Sequence, residues 1–483
     1  MIFEAYPEEN ITVDISSNVH WDAKLIQNDN DRWLYFVDEE LITPNSIQGK
    51  GNGKIVLKAS DNMLFDGRSA FVVISGDEVR TDTIYVAQSG SVDISEIIED
   101  EEFRKYCLAE FDKSPKDGKL SLLEVRNANK ITVTGLKINS LVGIEYFTGL
   151  KELFCANNNI PTINLNKNKS LLKLDCSYNP IDNIEIGELT ELTDFTIDHT
   201  KIKTMDVSKN VKLERLYASN NQLTIIDVSN NIELEWLYLD VNLLGNIELK
   251  KNTKLTILSC SDNQLSTIDI SNNKNLVRLW CNNNQLNNLN ITQNPTLQFF
   301  SCSQNNITKL DLNGNMDLER LYCDRNQIET LDVSRNTKLT DLRCTSNKLT
   351  NLNLIYNKYL EILYFSNNKL SNLDVSHNLA LQRLNCDLNN LTSLDLTNNT
   401  ELIELFCYGN QLGTLHLDTN TKLIDLRCYN CGLNNHIDIS NNKSLTTLQI
   451  QNNPLPFEIW VWKGFNKNST KYQKDTDAKY VEK

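Results

Sequence analysis

The sequence predicts a mainly β protein in which a solenoid of stacked parallel strands follows a small antiparallel β-sandwich. Two observations predict this fold: a 21-residue repeat runs from Leu150 onward, and short alternating runs separated by turn residues occupy positions 1–92. A third observation is the length, because 483 residues are too many for one compact core and require two or more domains.

Each repeat unit begins with a leucine, and successive leucines lie 21 residues apart. In the unit that starts at Leu318, positions 1, 4, 6, 11, 14 and 16 are apolar and positions 9 and 19 are asparagine. Positions 4 and 6 alternate with the period of a strand that buries one face. One strand per turn predicts about fifteen parallel strands between Leu150 and Asn453, with neighbours ~4.8 Å apart. The units start at Leu150, Leu171, Leu192, Leu213, Leu234, Leu255, Leu276, Leu297, Leu318, Leu339, Leu360, Leu381, Leu402, Leu423 and, after one inserted residue, Leu445.

Repeat position 9 marks the sharp exit from each strand, where backbone groups would otherwise be buried without a hydrogen-bond partner. Thirteen of the fifteen units have asparagine there, and the exceptions are Thr200 and Cys431. An asparagine amide has both donors and an acceptor, so it can bond its own turn and the neighbouring one. The asparagine column is therefore predicted to be structural.

Ten of the twelve cysteines occupy repeat position 6, which faces the core. Other units place Ile197, Ala218 or Phe365 at that position, which therefore requires an apolar filler. Buried free cysteine behaves as such a filler, and side chains that point the same way along a sheet suit a disulfide poorly. Free thiols are expected, with disulfides or a metal site as alternatives. The ten residues are Cys155, Cys176, Cys260, Cys281, Cys302, Cys323, Cys344, Cys386, Cys407 and Cys428.

The pattern LxxLxCxxNxL, present from about residue 131 to 483, resembles the leucine-rich-repeat family. Its LDVS-containing form, as at residues 331–334, is similar to internalin-like surface proteins of Bacteroidetes. The resemblance implies a binding solenoid over residues 131–455 with a C-terminal cap at 456–483, on a protein that is displayed on the cell surface or secreted. Free thiols favour a reducing compartment, which conflicts with the surface or secreted location that the resemblance implies. An anaerobic host would remove this conflict.

Residues 1–92 follow a different pattern, in which short alternating runs such as 11–15 and 71–74 are separated by turn signals. Several short strands in fewer than 100 residues predict an antiparallel sandwich. The segments 18–21, 51–57, 68–76 and 86–90, together with Trp33, are similar to the Bacteroidetes-associated carbohydrate-binding often N-terminal (BACON) domain. That resemblance implies glycan binding or a spacer. Trp21 and Trp33 are expected in the core, which favours the spacer.

Residues 93–130 are predicted to form a helical connector that caps the first edge of the solenoid core, as terminal repeats require. Asp93 followed by Glu96 is typical of a capped helix start. The predicted helix has apolar residues at Ile94, Ile97, Ile98, Phe103, Tyr106, Cys107 and Phe111.

The stretch 112–124 resembles a calcium-binding loop. Aligned on Gly118 and Glu124, however, it places Lys113 and Pro115 where oxygen ligands belong. The alternative is that Ser121 and Glu124 form a capping box that opens a short helix.

The chain has 48 Lys and Arg against 63 Asp and Glu, a formal net charge of −15. Phosphate backbones and anionic membranes repel such a chain, so a nucleic-acid partner is not expected. No run approaches the ~18 apolar residues of a membrane span. The first residues contain no basic region followed by an apolar core. Either the protein is cytosolic or an export signal has been removed from it.

Catalysis, metal binding and a cofactor are not expected. The five histidines are scattered over the chain, and none has a partner at a ligand spacing. Most regularly placed acids recur at repeat position 15, as Asp206 and Asp332 do, which is a feature of the turn. No glycine-rich phosphate loop or nucleophile motif is present in the sequence.

The candidate ligand-binding residues lie on the open side of the predicted strands. Repeat positions 2, 3, 5, 7 and 8 flank the buried positions 4 and 6 and therefore face solvent. Position 5 is aromatic in seven of fifteen units, although the chain is only 8% aromatic. Tyr, Trp and Arg dominate binding hot spots. Strand propensity alone also favours aromatics, but it does not account for the accompanying arginines. The candidate residues are Arg215, Tyr217, Trp236, Tyr238, Arg278, Trp280, Phe299, Arg320, Tyr322, Arg343 and Tyr364.

The function expected from these features is recognition of a protein or host-cell ligand on the concave face of the solenoid, by a monomeric surface or adhesion protein. The alternative is a glycan-binding protein of a polysaccharide-capture system. From Trp280 onward, aromatic residues at position 5 fall on every second unit, ~10 Å apart, a spacing that suits an extended peptide or a glycan. A purely structural or spacer protein is the third class.

Overall fold

The computed structural model describes residues 1–483 except 6, 28–31, 39–40, 44, 63–64, 78, 114–115, 468 and 470. The chain divides into two compact units, Met1–Leu171 and Leu172–Lys483. Both are mainly β. Within the described residues, no helix is long and apolar enough to cross a membrane.

The first unit begins with two β-sheets that share one apolar core. Trp21 and Ala23 come from one sheet, Phe36 and Ile55 from the other, and all four belong to this core. The strands pair antiparallel except for the parallel pair formed by the first one. The predicted antiparallel sandwich is therefore confirmed. In spatial order, one sheet contains Ile2–Phe3, Val79–Gln88, Arg68–Gly76, His20–Ile26 and Ser46–Lys50, and the other contains Ile11–Ile15, Gly53–Ala59, Leu34–Asp38 and Leu41–Thr43.

Both tryptophans of the sandwich are core side chains, as the sequence predicted. Trp33 is 2% exposed and Trp21 is 7% exposed. The Trp21 indole N–H donates to the carbonyl of Gly51 at 2.9 Å. Gly49 provides the space for this indole, because a Cβ at Gly49 would lie only 2.1 Å from the ring. Neither ring presents an open face to solvent.

The connector contains three short helical segments, and the one helix predicted over residues 94–111 is divided into two of them. Asp93 caps only a 3-10 turn, Ile94–Glu96. A second cap, Asp100, accepts hydrogen bonds from the backbone N–H groups of residues 102 and 103 and starts the helix Glu101–Phe111. The first segment ends at Glu96, with Ile97 as its C-cap, and Asp100 begins the second. The third helix is Leu122–Arg126.

The capping box predicted at Ser121 and Glu124 is present. The acids of the calcium-like loop bind backbone groups: Asp112 accepts from the N–H of Gly118 at 2.9 Å, and Glu124 accepts from the N–H of Lys113 at 3.0 Å. Pro115 lies outside the described residues. Across the described part of the chain, no group of His, Cys, Asp or Glu is arranged to hold a metal ion.

Parallel strands with the 21-residue spacing form the rest of the fold, as predicted. In the first unit, Lys130–Thr132 pairs in parallel with Glu152–Phe154, and a 3-10 turn, Ile144–Tyr146, lies between them in sequence. In the described part of the second unit, fifteen strands lie side by side in sequence order. They are Lys173–Asp175, Asp194–Thr196, Arg215–Tyr217, Trp236–Tyr238, Ile257–Ser259, Arg278–Trp280, Phe299–Ser301, Arg320–Tyr322, Asp341–Arg343, Ile362–Tyr364, Arg383–Asn385, Glu404–Phe406, Asp425–Arg427, Thr447–Gln449 and Tyr472–Gln473.

A second, small parallel sheet closes the C-terminal end of this unit. It contains His436–Asp438, Glu458–Val461 and Lys479–Glu482. Phe465 lies beside it, with ring centroids 4.8 Å from Trp462 and 4.8 Å from Tyr472. Tyr472 also donates its hydroxyl to the carbonyl of Leu445 at 2.8 Å, which ties this group of rings to the last repeat.

The asparagine column at position 9 satisfies the backbone of each strand exit, as predicted. Asn326 Nδ2 donates to the carbonyls of Cys302, Cys323 and Asp324 at 3.0, 3.2 and 3.2 Å. Its Oδ1 accepts from the N–H of Ile307 at 3.0 Å. The amide therefore binds its own turn and the preceding turn. The substituted positions retain part of this bonding, since Cys431 Sγ donates to the carbonyl of Cys407 at 3.0 Å.

The residue before each position-9 asparagine is in the left-handed conformation, which the sequence analysis did not anticipate. Arg325 has φ 52° and Leu388 has φ 50°. Glycine is favoured in the left-handed region of backbone conformation. Among the units that start at residues 171 to 423, however, only one has glycine at repeat position 8, namely Gly409. The hydrogen bonds of the neighbouring asparagine hold the strand exit in this shape despite the strain.

The ten cysteines at repeat position 6 are free and buried, as predicted, and Cys107 and Cys431 are free and buried as well. Burial raises the pKa of the Cys281 thiol to about 12, so the thiolate is suppressed at neutral pH. Cys281 Sγ also donates to the carbonyl of Ser301 at 3.5 Å. These thiols are apolar core side chains and are poor nucleophiles.

Replacing Asn326 with alanine is expected to lower the free energy of unfolding by ~1–3 kcal/mol, because four buried hydrogen bonds lose their partner. The adjacent Arg325→Ala variant is the control. It keeps a Cβ in the same left-handed position and is expected to change stability by less than ~0.5 kcal/mol. Urea denaturation followed by circular dichroism measures both. Equal effects would contradict the structural role of the column.

The native protein is expected to react with a thiol reagent at few sites, because every cysteine is buried. The protein denatured without reductant is expected to expose all twelve thiols. Titration with a chromogenic disulfide reagent gives both counts. Loss of thiols in pairs from the denatured sample would show that disulfides had formed.

Candidate ligand-binding face

The candidate site lies on the solvent side of the long parallel sheet in the second unit, which we call the open face. In the strand Arg215–Tyr217 the central Leu216 is buried, while the flanking residues at repeat positions 3 and 5 are half-buried. Neighbouring strands are in register, so that Arg215 pairs with Trp236 and Tyr217 with Tyr238. Positions 3 and 5 therefore form two columns, and the eleven predicted residues all lie in them.

A first cluster spans two neighbouring strands of the open face. The rings of Tyr217 and Tyr238 stack with centroids 5.0 Å apart and planes 11° apart. The guanidinium of Arg215 lies 4.8 Å from the ring centroid of Trp236, and its Nη1 donates to Asp194 Oδ1 at 2.6 Å. The arginine is thus held between an aromatic ring and a carboxylate.

A second cluster of five predicted residues begins at Trp280. Its ring centroid lies 4.8 Å from that of Phe299, which in turn meets the edge of Tyr322 at 5.2 Å. The guanidinium of Arg343 lies 4.5 Å from the Tyr322 ring and 5.3 Å from the Tyr364 ring. Aromatic and arginine side chains therefore follow one another from strand to strand without a gap.

Arg343 is fixed by a carboxylate that the sequence analysis did not single out. Its Nε and Nη2 donate to the two oxygens of Asp341 at 3.0 and 2.9 Å. Tyr322 also donates its hydroxyl to Asp341 Oδ2 at 2.8 Å. The sequence does contain an indication of this pair, because residues 341–343 read Asp-Leu-Arg and positions 3 and 5 of a strand share a face.

The same arrangement recurs four units later. Arg427 donates from Nε and Nη2 to Asp425 at 3.2 and 2.9 Å, and it lies 4.2 Å from the ring of Phe406. This strand also reads Asp-Leu-Arg. Two equivalent arginine sites therefore occur on the open face, the second beyond the predicted set.

Arg278 and Arg320 differ from the other arginines of the predicted set. Both are exposed at position 3. Among the residues that the structure describes, neither forms an ion pair nor lies over an aromatic ring. Their cationic groups are available to a ligand.

A column of acids borders the open face at repeat position 7, and the sequence analysis did not single it out. Asp324 Oδ1 accepts from the N–H of Thr345 at 2.7 Å, and Asp387 Oδ1 accepts from the N–H of Tyr408 at 2.8 Å. Burial raises the pKa of Asp324, and it raises the pKa of Asp387 to about 7. Asp198 and Asp240 have raised pKa values for the same reason. These carboxylates are committed to the backbone of the next turn.

The chemistry that this arrangement supports is recognition. Stacking turns the faces of rings such as Tyr217 and Tyr238 toward their neighbours along the sheet. Ring edges, the hydroxyls of Tyr217 and Tyr238 and the guanidinium N–H groups not already paired remain for a ligand. Such groups contribute apolar area and directed hydrogen bonds, which are the main components of protein-binding hot spots.

Comparison with solved structures shows an extended similarity to the functional domain of InlJ from Listeria monocytogenes, a domain described as including a cysteine ladder. The two are 32% identical, the alignment covers 77% of this chain and 82% of that one, and the TM-score is 0.71. This chain has the corresponding feature in its cysteines at repeat position 6.

Two further structures share the fold. An internalin, InlF, from Listeria monocytogenes is 22% identical, with coverage of 66% and 92% and a TM-score of 0.55. The ectodomain of the Arabidopsis thaliana receptor kinase GASSHO1/SCHENGEN3, in complex with Casparian strip integrity factor 2, is 21% identical, with coverage of 73% and 50% and a TM-score of 0.57. No protein-family model and no curated protein sequence matches the chain.

The Asp387→Asn variant is expected to be more stable relative to the wild type at pH 8.5 than at pH 5. The pKa of Asp387 is about 7 in the folded state and near 3.8 in the unfolded state. The protonated carboxyl therefore makes its full contribution to stability below pH 3.8, and this contribution is lost as the pH rises through 7. Asparagine keeps the acceptor, as Asn282 does in the same column.

Thermal melts at both pH values are expected to show a relative gain in Tm of at least about 2 °C at pH 8.5. Asp332→Asn is the control. Hydrogen bonds from Ser334 lower the pKa of Asp332, which stays ionised across this range. A constant difference between the Asp387 variant and the wild type would contradict the raised pKa.

Proposed function

We propose, from the premise that this chain belongs to the internalin-type leucine-rich-repeat proteins, that it is a binding protein whose open face recognises a protein ligand. The observation that carries the proposal is the continuous series of rings and arginines from Trp280 to Tyr364. These residue types dominate hot spots, and exposing them on a soluble protein lowers its solubility unless they are used.

Internal contacts hold the side chains of the open face in place before any ligand arrives. Asp341 binds both Arg343 and Tyr322, while Tyr364 donates its hydroxyl to Glu404 at 3.0 Å. Binding to fixed side chains avoids the conformational entropy that each mobile side chain would lose, about 0.5–1.5 kcal/mol. Asp341 and Glu404 therefore support the proposal as positioning residues.

A protein ligand accounts for the ring geometry better than a glycan does. A sugar binds an aromatic platform through an open ring face. On this surface the neighbouring strands cover the ring faces, as Arg343 covers Tyr322 and Tyr238 covers Tyr217. Exposed ring edges, hydroxyls and guanidinium groups suit the mixed polar and apolar surface of a protein.

The proposal includes display on the cell surface or secretion, together with an adhesion role, since the family relationship is to internalins. We assign the N-terminal sandwich, with its BACON-like sequence, to a spacer role in such a protein. The burial of Trp21 and Trp33 supports this assignment, because neither indole can act as a sugar platform.

The test begins with a pull-down from host extracellular matrix and serum, with the full chain as bait, beside a glycan array. For the ligand obtained, the Trp236→Ala/Trp280→Ala variant is expected to bind at least about tenfold more weakly with a nearly unchanged Tm. Both side chains are half-buried on the open face, so their removal leaves the core intact.

Tyr356→Ala/Tyr359→Ala is the matched control. Both tyrosines are exposed, at 58% and 53%, and lie at repeat positions 18 and 21, away from the open face. Their loss is expected to leave affinity unchanged. Full affinity in the tryptophan variant would exclude the open face as the binding site.

A further inference from the structure

Arginine and lysine are segregated in the second unit. Residues 172–483 contain eight arginines, and six of these occupy repeat positions 3 or 5 of the open face. The same segment contains 22 lysines, of which only Lys173 occupies these positions. Simple solubility does not require this separation. A surface that must hold planar anions does require it, because a guanidinium forms a fork that matches a carboxylate and stacks on rings.

The acids at repeat positions 3 and 5 of residues 278–427 are already engaged, whereas part of the positive charge at these positions is not. Asp341 and Asp425 each bind an arginine of their own strand, and Glu404 accepts the hydroxyl of Tyr364. Arg278 and Arg320 have no such partner among the described residues and project from position 3. An overall acidic chain of net charge −15 therefore presents unmatched guanidinium groups at one place.

Even the paired arginines keep one edge for a ligand. Asp341 occupies Nε and Nη2 of Arg343, and Asp425 occupies the same atoms of Arg427. The Nη1 group of each forms no hydrogen bond within the described part of the chain. A second carboxylate can bind at that edge while the first one and the aromatic ring hold the guanidinium in place.

The spacing of the arginines suits an extended chain. Arg278 and Arg320 are two strands apart, ~10 Å, and Arg343 and Arg427 are four strands apart, ~19 Å. The whole row from Arg278 to Arg427 crosses eight strands, or seven strand spacings, ~34 Å, which corresponds to about ten residues of extended peptide. Glutamates at position 2, such as Glu319 and Glu361, border the row and restrict anionic groups to it.

We infer that the row from Arg278 to Arg427 selects an acidic, extended protein segment whose carboxylates bind Arg278, Arg320, Arg343 and Arg427. The apolar side chains of that segment pack on the ring edges between the arginines. This inference rests on the proposed function and adds the chemistry of the ligand. A sulfated or uronate glycan would also carry anions, but the covered ring faces disfavour it.

The experiment uses a displayed library of random 15-residue peptides selected on the full wild-type chain. Selected peptides are synthesised, and their affinities are measured by fluorescence anisotropy. The test variant is Arg278→Gln/Arg320→Gln, which removes two exposed groups without ion-pair partners. The matched control is Lys274→Gln/Arg335→Gln, which removes the same charge from exposed residues at repeat positions 20 and 18, away from the open face.

Peptides rich in Asp and Glu are expected, with at least about tenfold weaker binding to the test variant and less than about twofold change in the control. The charge-conserving Arg278→Lys/Arg320→Lys variant is also expected to bind about tenfold more weakly, because an ammonium cannot form the planar fork. Equal losses of affinity in the test and control variants would show that the peptides respond only to the net charge of the chain, and this result would overturn the inference.

Two outcomes separate this inference from the proposed function. Neutral peptides that bind the arginine variants normally but lose affinity with Trp236→Ala/Trp280→Ala would overturn the acidic selectivity and leave the open face as the binding site. If no selected peptide depends on the open face while heparin oligosaccharides do, the ligand is an anionic glycan, and both proposals are wrong.

Discussion

Each turn of the repeat must hydrogen-bond the backbone groups that its sharp strand exit buries, and the rest of the solenoid depends on how this is achieved. Asn326 shows the solution, because its amide donates to three carbonyls and accepts one N–H. Since these partners belong to two successive turns, the same side chain closes its own turn and fixes its register against the preceding one. A second column contributes at position 19, where Asn336 Nδ2 donates to the carbonyls of Leu312 and Asn315 at 3.2 and 2.7 Å.

This fixed register creates the open face. When successive strands match residue for residue, equivalent side chains lie ~4.8 Å apart, which is close to the contact distance of stacked rings and guanidinium groups. Tyr217 therefore stacks on Tyr238, and Arg343 lies between Tyr322 and Tyr364. An irregular β-sheet could place the same residues on its surface but would not align them in continuous columns.

Charge is distributed differently on the two kinds of surface. On the flanks, lysines pair with acids of the preceding turn, as Lys212 does with Glu191 at 2.5 Å and Lys338 with Asp317 at 2.6 Å. Such exposed pairs contribute little to stability. On the open face, acids hold arginines or backbone groups in defined positions, and the unpaired cations are arginines. The chain is acidic as a whole, yet its open face exposes the guanidinium groups of Arg278 and Arg320.

The sequence by itself determined the repeat, the parallel strands, the buried free cysteines, the role of the position-9 asparagine and the two exposed columns, because a strict 21-residue period assigns every position to core or solvent. It did not determine the contacts within those columns. Arg343 meets Asp341 within one strand, but the Tyr322 hydroxyl reaches Asp341 only because adjacent turns bring residues 19 positions apart into contact. The left-handed residue at position 8 and the raised pKa of Asp387 likewise depend on the closed strand exit and its burial. Periodicity specifies which face a side chain occupies, whereas only the stacked turns decide which side chains meet there.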